Sequence, residues 1–270
     1  MIQAPIGVFD SGMGGLTVLR ALQAQMPGES FLYLGDTARL PYGSKSPATV
    51  QRYAVQAARI LVDRGVRALV VACNTASAFA LDALNASFPS LPVFGVVAPG
   101  AEAVVESPDA GPVLVLATES TVAGGAYQRE ILSRRGDLSV HARPCPLLVA
   151  LAEEGEYAGE FCESVLRHYL HGFVDQASIA APATVLLGCT HFPVFREALG
   201  GLLGAHAVRI VDSADTTARV VADALAPVGT EPAGGDGGVT LLATDGVMRF
   251  RRVGRHFLGA AIESVELVDL

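Results

Sequence analysis

A single lysine, Lys45, and no tryptophan occur in this chain of 270 residues. A pyridoxal Schiff base would rest entirely on that one residue, in the loop Tyr42-Gly-Ser-Lys-Ser46, so cofactor chemistry of that kind is not expected. The six histidines show no metal-ligand spacing and the four cysteines form no CxxC pair, which argues against a zinc site and a thioredoxin-type motif. No cofactor and no metal are therefore expected. Lysine-rich runs and basic patches interleaved with aromatics are also missing, and the formal net charge is −8, so neither nucleic acid nor an anionic membrane surface is an expected partner. No apolar stretch approaches the roughly 20 residues that span a bilayer. The opening Met1-Ile-Gln-Ala-Pro5 lacks the basic stretch, long apolar segment and small-residue cleavage site of a leader, and a cytoplasmic location is the expectation. In a reducing compartment the four cysteines are expected as free thiols.

What the chain does contain is an alternation. Apolar runs of strand length, Ile6–Phe9, Phe31–Leu34, Leu69–Ala72, Val93–Val97, Val113–Leu116 and Val185–Leu187, are separated by helical stretches such as Leu16–Gln25, Ala48–Gly65 and Ala76–Phe88. That order predicts an α/β protein whose parallel sheets are covered by helices. Unbroken apolar strands fit burial on both faces. Proline and glycine interrupt the pattern at Ala98-Pro-Gly100, which suggests a domain boundary, with a second near Val211-Asp212-Ser213. On this division the segment after Ser213 returns to the first domain; one three-layer domain is the alternative.

Two distant segments say nearly the same thing, Ala68-Leu-Val-Val-Ala-Cys73-Asn-Thr75 and Thr184-Val-Leu-Leu-Gly-Cys189-Thr-His191. Each places a thiol at the carboxyl end of a strand, where open α/β sheets bind ligands. Two thiols facing one ligand point to proton transfer. Asp10-Ser11 and Thr118 with Thr121 occupy similar strand ends, and a helix start at each position favours an anion such as a carboxylate. Singly, a Ser, Thr or Asn there reads as a helix cap; the repetition favours a site. The following helix start and polar neighbours favour the thiolate at Cys73 and Cys189, with Asp10 and His191 as proton-accepting partners that tune one thiol each. Cys145 and Cys162 read as small core hydrophobes. The glycines of Asp10-Ser-Gly-Met-Gly-Gly15 lack the full GxGxxG pattern and are taken to permit close approach of a small ligand. In Leu40-Pro-Tyr-Gly43 the Tyr42 hydroxyl and the Gly43 N–H are candidates for holding a carboxylate from the rim, and a purely structural turn is the alternative.

Across essentially the whole chain, the ordered set Ile6-Gly-Val-Phe-Asp-Ser-Gly-Met-Gly-Gly-Leu-Thr-Val-Leu19, Tyr33-Leu-Gly-Asp-Thr37, Pro41-Tyr-Gly43, Ala72-Cys-Asn-Thr-Ala76, Val97-Ala-Pro-Gly100, Ala117-Thr-Glu-Ser-Thr121, Cys145-Pro-Leu-Leu-Val149 leading to Glu153, and Gly188-Cys-Thr-His191 resembles the glutamate racemases of the cofactor-independent aspartate/glutamate racemase superfamily. The stretch Cys73-Asn-Thr-Ala-Ser77 and the long Asp-Ser-Gly start fit the glutamate branch better than the aspartate branch. One departure is Ala117, where the family often has glycine. The resemblance implies two pseudo-symmetric parallel-sheet α/β domains with the active site between them, here residues 1–98 plus 212–270 and residues 99–211. It further implies Cys73 and Cys189 as the acid/base pair, assisted by Asp10, Glu153 and His191. Substrate contacts would come from Asp10, Ser11, Tyr42, Gly43, Asn74, Thr75, Thr118, Thr121, Thr190 and His191. The implied activity is interconversion of L- and D-glutamate without a cofactor, with Cys73 deprotonating the D and Cys189 the L enantiomer. The implied role is supply of D-glutamate for bacterial peptidoglycan, and since family members often form dimers, a homodimer is expected. Competing readings are an aspartate or broader amino-acid racemase, a non-catalytic amino-acid-binding module and a thiol redox protein.

Overall fold

The computed structural model of the chain describes residues 4–107, 111–173, 182–204, 208–226 and 237–270; the first three residues, read above for a leader, lie outside them. Among the described residues ten strands form two sheets, and every strand pairing is parallel. The larger sheet is built from β1 (Ile6–Asp10), β2 (Phe31–Gly35), β3 (Ala68–Val71) and β4 (Val93–Gly95), together with β9 (Val239–Ala243) and β10 (Glu266–Leu267). Its order is β10-β9-β2-β1-β3-β4. The smaller sheet holds β5 (Val113–Ala117), β6 (Val140–Pro144), β7 (Thr184–Gly188) and β8 (Arg209–Asp212), in the order β6-β5-β7-β8.

Without its last two strands the first sheet runs 2-1-3-4, and the second runs 6-5-7-8. The chain therefore traces the same path twice, which is the pseudo-symmetric α/β architecture. In each copy the strand order reverses between the two central strands, β1 and β3 in one, β5 and β7 in the other. Such a reversal splays the following loops apart and opens a crevice at the carboxyl ends. All positions of these four strands are buried, as continuous apolar runs between two helical layers require.

Helix α1 (Leu16–Gln25) follows β1, α2 (Pro47–Asp63) follows β2, and α3 (Asn74–Phe79) with α4 (Leu81–Ser87) follows β3. Helix α5 (Val97–Val105) carries the chain to the second sheet. There α6 (Glu119–Gly124) and α7 (Ala126–Arg134) follow β5, α8 (Pro146–Glu154) and α9 (Gly159–Leu170) follow β6, and α10 (Arg196–Leu203) follows β7. Helix α11 (Ser213–Leu225) leads back and packs on α1, and α12 (Val247–Leu258) follows β9. Strand β9 pairs with β2 in the register Phe31↔Val239, so the polypeptide re-enters the first sheet after leaving the second. Among the described residues no helix is long and apolar enough to cross a membrane.

Two expectations about local structure need correction. The helix read over Ala76–Phe88 is two helices that break at Ala80, and the N-terminal one begins earlier, at Asn74. The strand read as Val93–Val97 stops at Gly95, and Ala98-Pro-Gly100, read as an interruption, lies inside the first turns of α5. Proline is tolerated there because the first N–H groups of a helix have no intrahelical acceptor.

Candidate active site

The polar residues at the four central strand ends converge. After β3, Cys73 is the N-cap of α3, and its sulfur accepts the backbone N–H of Ala76 at 3.4 Å while its thiol donates to Ser11 Oγ at 3.5 Å. Burial pushes the Cys73 thiol up to about 12, and the neighbouring Asp10 charge pushes the same way against those two hydrogen bonds. A helix start alone would favour the thiolate, but desolvation and a like charge win here. Where the sequence favours the thiolate at Cys73, burial and the Asp10 charge oppose it. Asp10, at the end of β1, is fully buried; its Oδ2 accepts the Gly12 N–H at 2.9 Å, and Oδ1 finds no partner among the described residues. Burial raises its pKa despite the His191 charge and backbone N–H groups that lower it.

The second half is prepared differently. After β7, Cys189 Sγ lies 3.8 Å from His191 Nδ1, and Thr190 Oγ1 lies 3.4 Å from the same nitrogen. His191 Nε2 meets Glu153 Oε1 of α8 at 3.2 Å, and Glu153 Oε2 accepts from Arg249 of α12 at 2.5 Å. Burial pulls an imidazole down, but hydrogen bonds and charge from Cys189 and Glu153 outweigh it and raise His191 to about 10. For Glu153 burial acts upward, and the His191 and Arg249 interactions reverse it to a net lowering. Those interactions favour the protonated imidazole, with Nδ1 facing the Cys189 sulfur, the form His191 takes when it accepts a proton. A cation at that distance stabilises negative charge on sulfur.

Close approach joins the halves. A Cβ on Gly14 would stand 2.4 Å from both His191 Nδ1 and Thr190 Oγ1, and one on Gly43 would stand 2.7 Å from Thr118 Cβ. The glycine loop after β1 thus admits a neighbouring strand end of the protein, where sequence reading had it admit ligand. Thr17 Oγ1 donates to the Thr190 carbonyl at 3.0 Å, and the hydroxyls of Thr75, Thr118 and Thr121 form a triangle with sides of 3.1, 3.1 and 2.9 Å. Between these contacts lies a cavity of about 40 Å³ whose walls include Cys73 and Cys189 together. Ser11, Tyr42, Gly43, Asn74, Thr75, Thr118, Thr190 and His191 complete most of the lining, with Pro41 and Val149. Asp10, Thr121 and Glu153 stand behind the wall, each touching or acting on a residue that lines it. A larger pocket of about 330 Å³ adjoins and shares Pro41, Gly43, Thr118 and Val149, with Arg249 on its rim.

Catalytic-type residues at equivalent points of a doubled fold already narrow the class, and comparison with known proteins decides it. Residues 6–221 match the family model described as Asp/Glu/Hydantoin racemase. The chain belongs to the Asp/Glu/hydantoin racemase family. It is an amino-acid racemase, an isomerase, and is 44% identical to the glutamate racemase of Geobacter metallireducens over 268 residues, 98% of this chain and 96% of that one. Among solved structures it is similar to glutamate racemase from Francisella tularensis in complex with D-glutamate, with a TM-score of 0.88, 34% identity and coverage of 100% and 98% of the two chains. Glutamate racemase from Thermus thermophilus in complex with beta-chloro-D-alanine gives 0.86, 44%, 99% and 97%.

In this racemase some residues escape a sequence reading. The Tyr42 hydroxyl, expected at the rim, donates to Asp36 Oδ2 at 2.5 Å inside the protein, and burial with the Asp36 charge pushes its pKa well up. Asp36 also takes Arg39 Nε at 2.7 Å and the Thr244 hydroxyl at 3.0 Å, tying the Pro41–Gly43 segment to β2 and β9. Arg249 and Tyr127 carry no motif: one sits in an arginine-rich helix, the other in an ordinary amphipathic one. Cys145 and Cys162 are fully buried in the core, and burial raises both thiols. Lys45 is absent from the cavity wall. No cluster of three metal-ligating side chains occurs among the described residues.

Proposed function

We propose that this racemase acts on glutamate and inverts its α-carbon by proton transfer between Cys73 and Cys189, with no cofactor. The observation that carries the reading is that two thiols, each following a central strand of a different sheet, line one small cavity. One base alone would return a proton to the face it came from; two on opposite faces invert the centre. Cys189, backed by the His191 imidazolium, takes the α-proton of L-glutamate while the neutral Cys73 thiol delivers one to the other face. The D enantiomer uses the reverse sequence. Each positioned acid or base contributes about 10²–10⁴-fold.

Asp10 and Glu153 assist from behind, Asp10 by setting the charge state around Cys73 and Glu153 by holding His191. Substrate contacts fall to Ser11, Asn74, Thr75, Thr118, Thr190 and His191 of the cavity wall, with backbone donors from Tyr42 and Gly43 since the Tyr42 hydroxyl is engaged by Asp36, while Asp10 and Thr121, also expected as contacts, act from behind through Cys73 and Thr75. A carboxylate of the substrate fits the hydroxyl triangle of Thr75, Thr118 and Thr121. A cavity of about 40 Å³ has room for only about two or three waters, so substrate entry requires the halves to separate and closure to expel water. The domains that move are residues 1–98 plus 212–270 and residues 99–211, with one boundary in the first turn of α5 and the other at the start of α11. The cellular role we assign is supply of D-glutamate for peptidoglycan in the cytoplasm, by a homodimer.

The decisive experiment is a polarimetric assay on each enantiomer of glutamate and of aspartate, with no added cofactor, in water and in heavy water. Loss of optical rotation with either glutamate enantiomer, and solvent deuterium at Cα of the product, are the expected results. Binding without loss of rotation, preferential turnover of aspartate, or product lacking solvent label would overturn the proposal.

A further inference from the structure

Asn74 lines the cavity and is 3% exposed, and its amide is held from outside. Its Nδ2 donates to the Tyr127 hydroxyl at 2.7 Å and to Ser213 Oγ at 3.3 Å, so both amide protons are used. The one polar atom left is the carbonyl oxygen Oδ1, which is buried and finds no partner among the described residues. An acceptor in that position takes a donor from a ligand. Glutamate at neutral pH carries two ionised carboxylates and a single donor group, its α-ammonium.

Tyr127 does not reach the cavity itself. It is 1% exposed, and it sits where the chain passes between the two sheets. A Cβ on Gly188, the last residue of β7, would stand 2.9 Å from its ring, and a Cβ on Gly100 of α5 would stand 3.2 Å from the ring and 3.3 Å from Ser213 Cβ. Gly100 and Ser213 belong to the two helices that carry the chain out of the first sheet and back. One side chain therefore joins these parts, its ring against the end of β7 and α5 and its hydroxyl on the amide of Asn74. We propose that Tyr127, with Ser213, is a positioning residue that fixes the Asn74 amide so that its oxygen faces the cavity and receives the α-ammonium of the substrate. The inference rests on the glutamate reading above and adds to it the atom that recognises the ammonium and the residue that aims it.

Tyr127→Phe removes only the hydroxyl and leaves the ring against Gly188 and Gly100, so the fold is retained; Ser213→Ala is the milder companion. Calorimetric dissociation constants for glutamate and for glutarate, which lacks the ammonium, are measured on the wild-type chain, Tyr127→Phe, Asn74→Ala and the double variant. The expected result is about tenfold weaker glutamate binding in Tyr127→Phe, with glutarate changed less than about twofold. In the Asn74→Ala background the second substitution should add nothing, because residues that act through one another are not additive. Equal weakening of glutarate and glutamate, full additivity in the double variant, or unchanged glutamate binding in Tyr127→Phe would each overturn the proposal. Wild-type turnover is recorded separately: a chain that binds glutamate without racemising it would overturn the proposed function and leave this binding comparison readable.

Discussion

The Cys73 and Cys189 halves of the site are the same piece of topology set in different electrostatic surroundings. Both thiols follow a central parallel strand and precede a helical turn. Around Cys73 the neighbours are a buried carboxylate and a hydroxyl, and the thiol is driven up to about 12. Around Cys189 the neighbour is an imidazole held protonated by Glu153, which Arg249 in turn holds. A repeated backbone path therefore fixes where a sulfur sits, and its side-chain surroundings set the charges it faces. On the two-thiol reading proposed above, this inequality would let one face supply a proton while the other receives one.

The largest test of that inequality is deletion of either sulfur. Cys73→Ala and Cys189→Ala should each lower racemisation by about 10²–10⁴-fold, read by polarimetry. The residual chemistry should separate the halves: in heavy water, Cys73→Ala should exchange the α-proton of L-glutamate with retention, and Cys189→Ala that of D-glutamate, as followed by proton NMR. The opposite pairing would reverse the assigned faces. Next in size is alkylation by iodoacetamide at pH 7.5, mapped by mass spectrometry. Cys73 should be modified at least about tenfold more slowly than free cysteine, since burial and the Asp10 charge hold it protonated and only the thiolate reacts; Asp10→Asn should narrow the difference.

A smaller effect concerns stability. The pKa of His191 is raised from 6.5 to about 10, so its charged form stabilises the folded state. That contribution is complete below about pH 6.5 and is lost as pH rises through about 10. Thermal melts of the wild-type chain should show this decline in Tm, and His191→Gln should show less of it. The smallest is Arg249→Gln: its partner-facing guanidinium is about half exposed, and ion pairs of that kind contribute about 0.2–1 kcal/mol. Activity should fall at most about fivefold, with Arg249→Lys recovering part of it.

Much of this was written in local sequence. Strand runs ending in Cys-Asn-Thr and Cys-Thr-His, and Asp-Ser before a glycine loop, reveal strand ends with chemistry because polarity changes abruptly where a buried strand meets its crevice. The fold class and the strand-end residues follow from that contrast. The break at Ala80 and the early start of α5 were less legible, since short apolar stretches around alanine, proline and glycine are compatible with helix or strand and packing decides between them. The tie of the Tyr42 hydroxyl to Asp36 was illegible for a related reason: the two are near in sequence, but the turn that aims one at the other is set by contacts with β9.

By itself, the sequence determined the alternating parallel architecture and the kinds of side chain at its strand ends, because apolar periodicity and helix-starting chemistry act over a few residues. Only the tertiary structure decided that the two thiols share a cavity, that burial and Asp10 raise the Cys73 thiol while Cys189 and Glu153 raise His191, and that Tyr127 stands behind the wall. Those outcomes depend on burial and on distances between residues tens to hundreds of positions apart, and neither quantity exists until the two sheets are folded against each other.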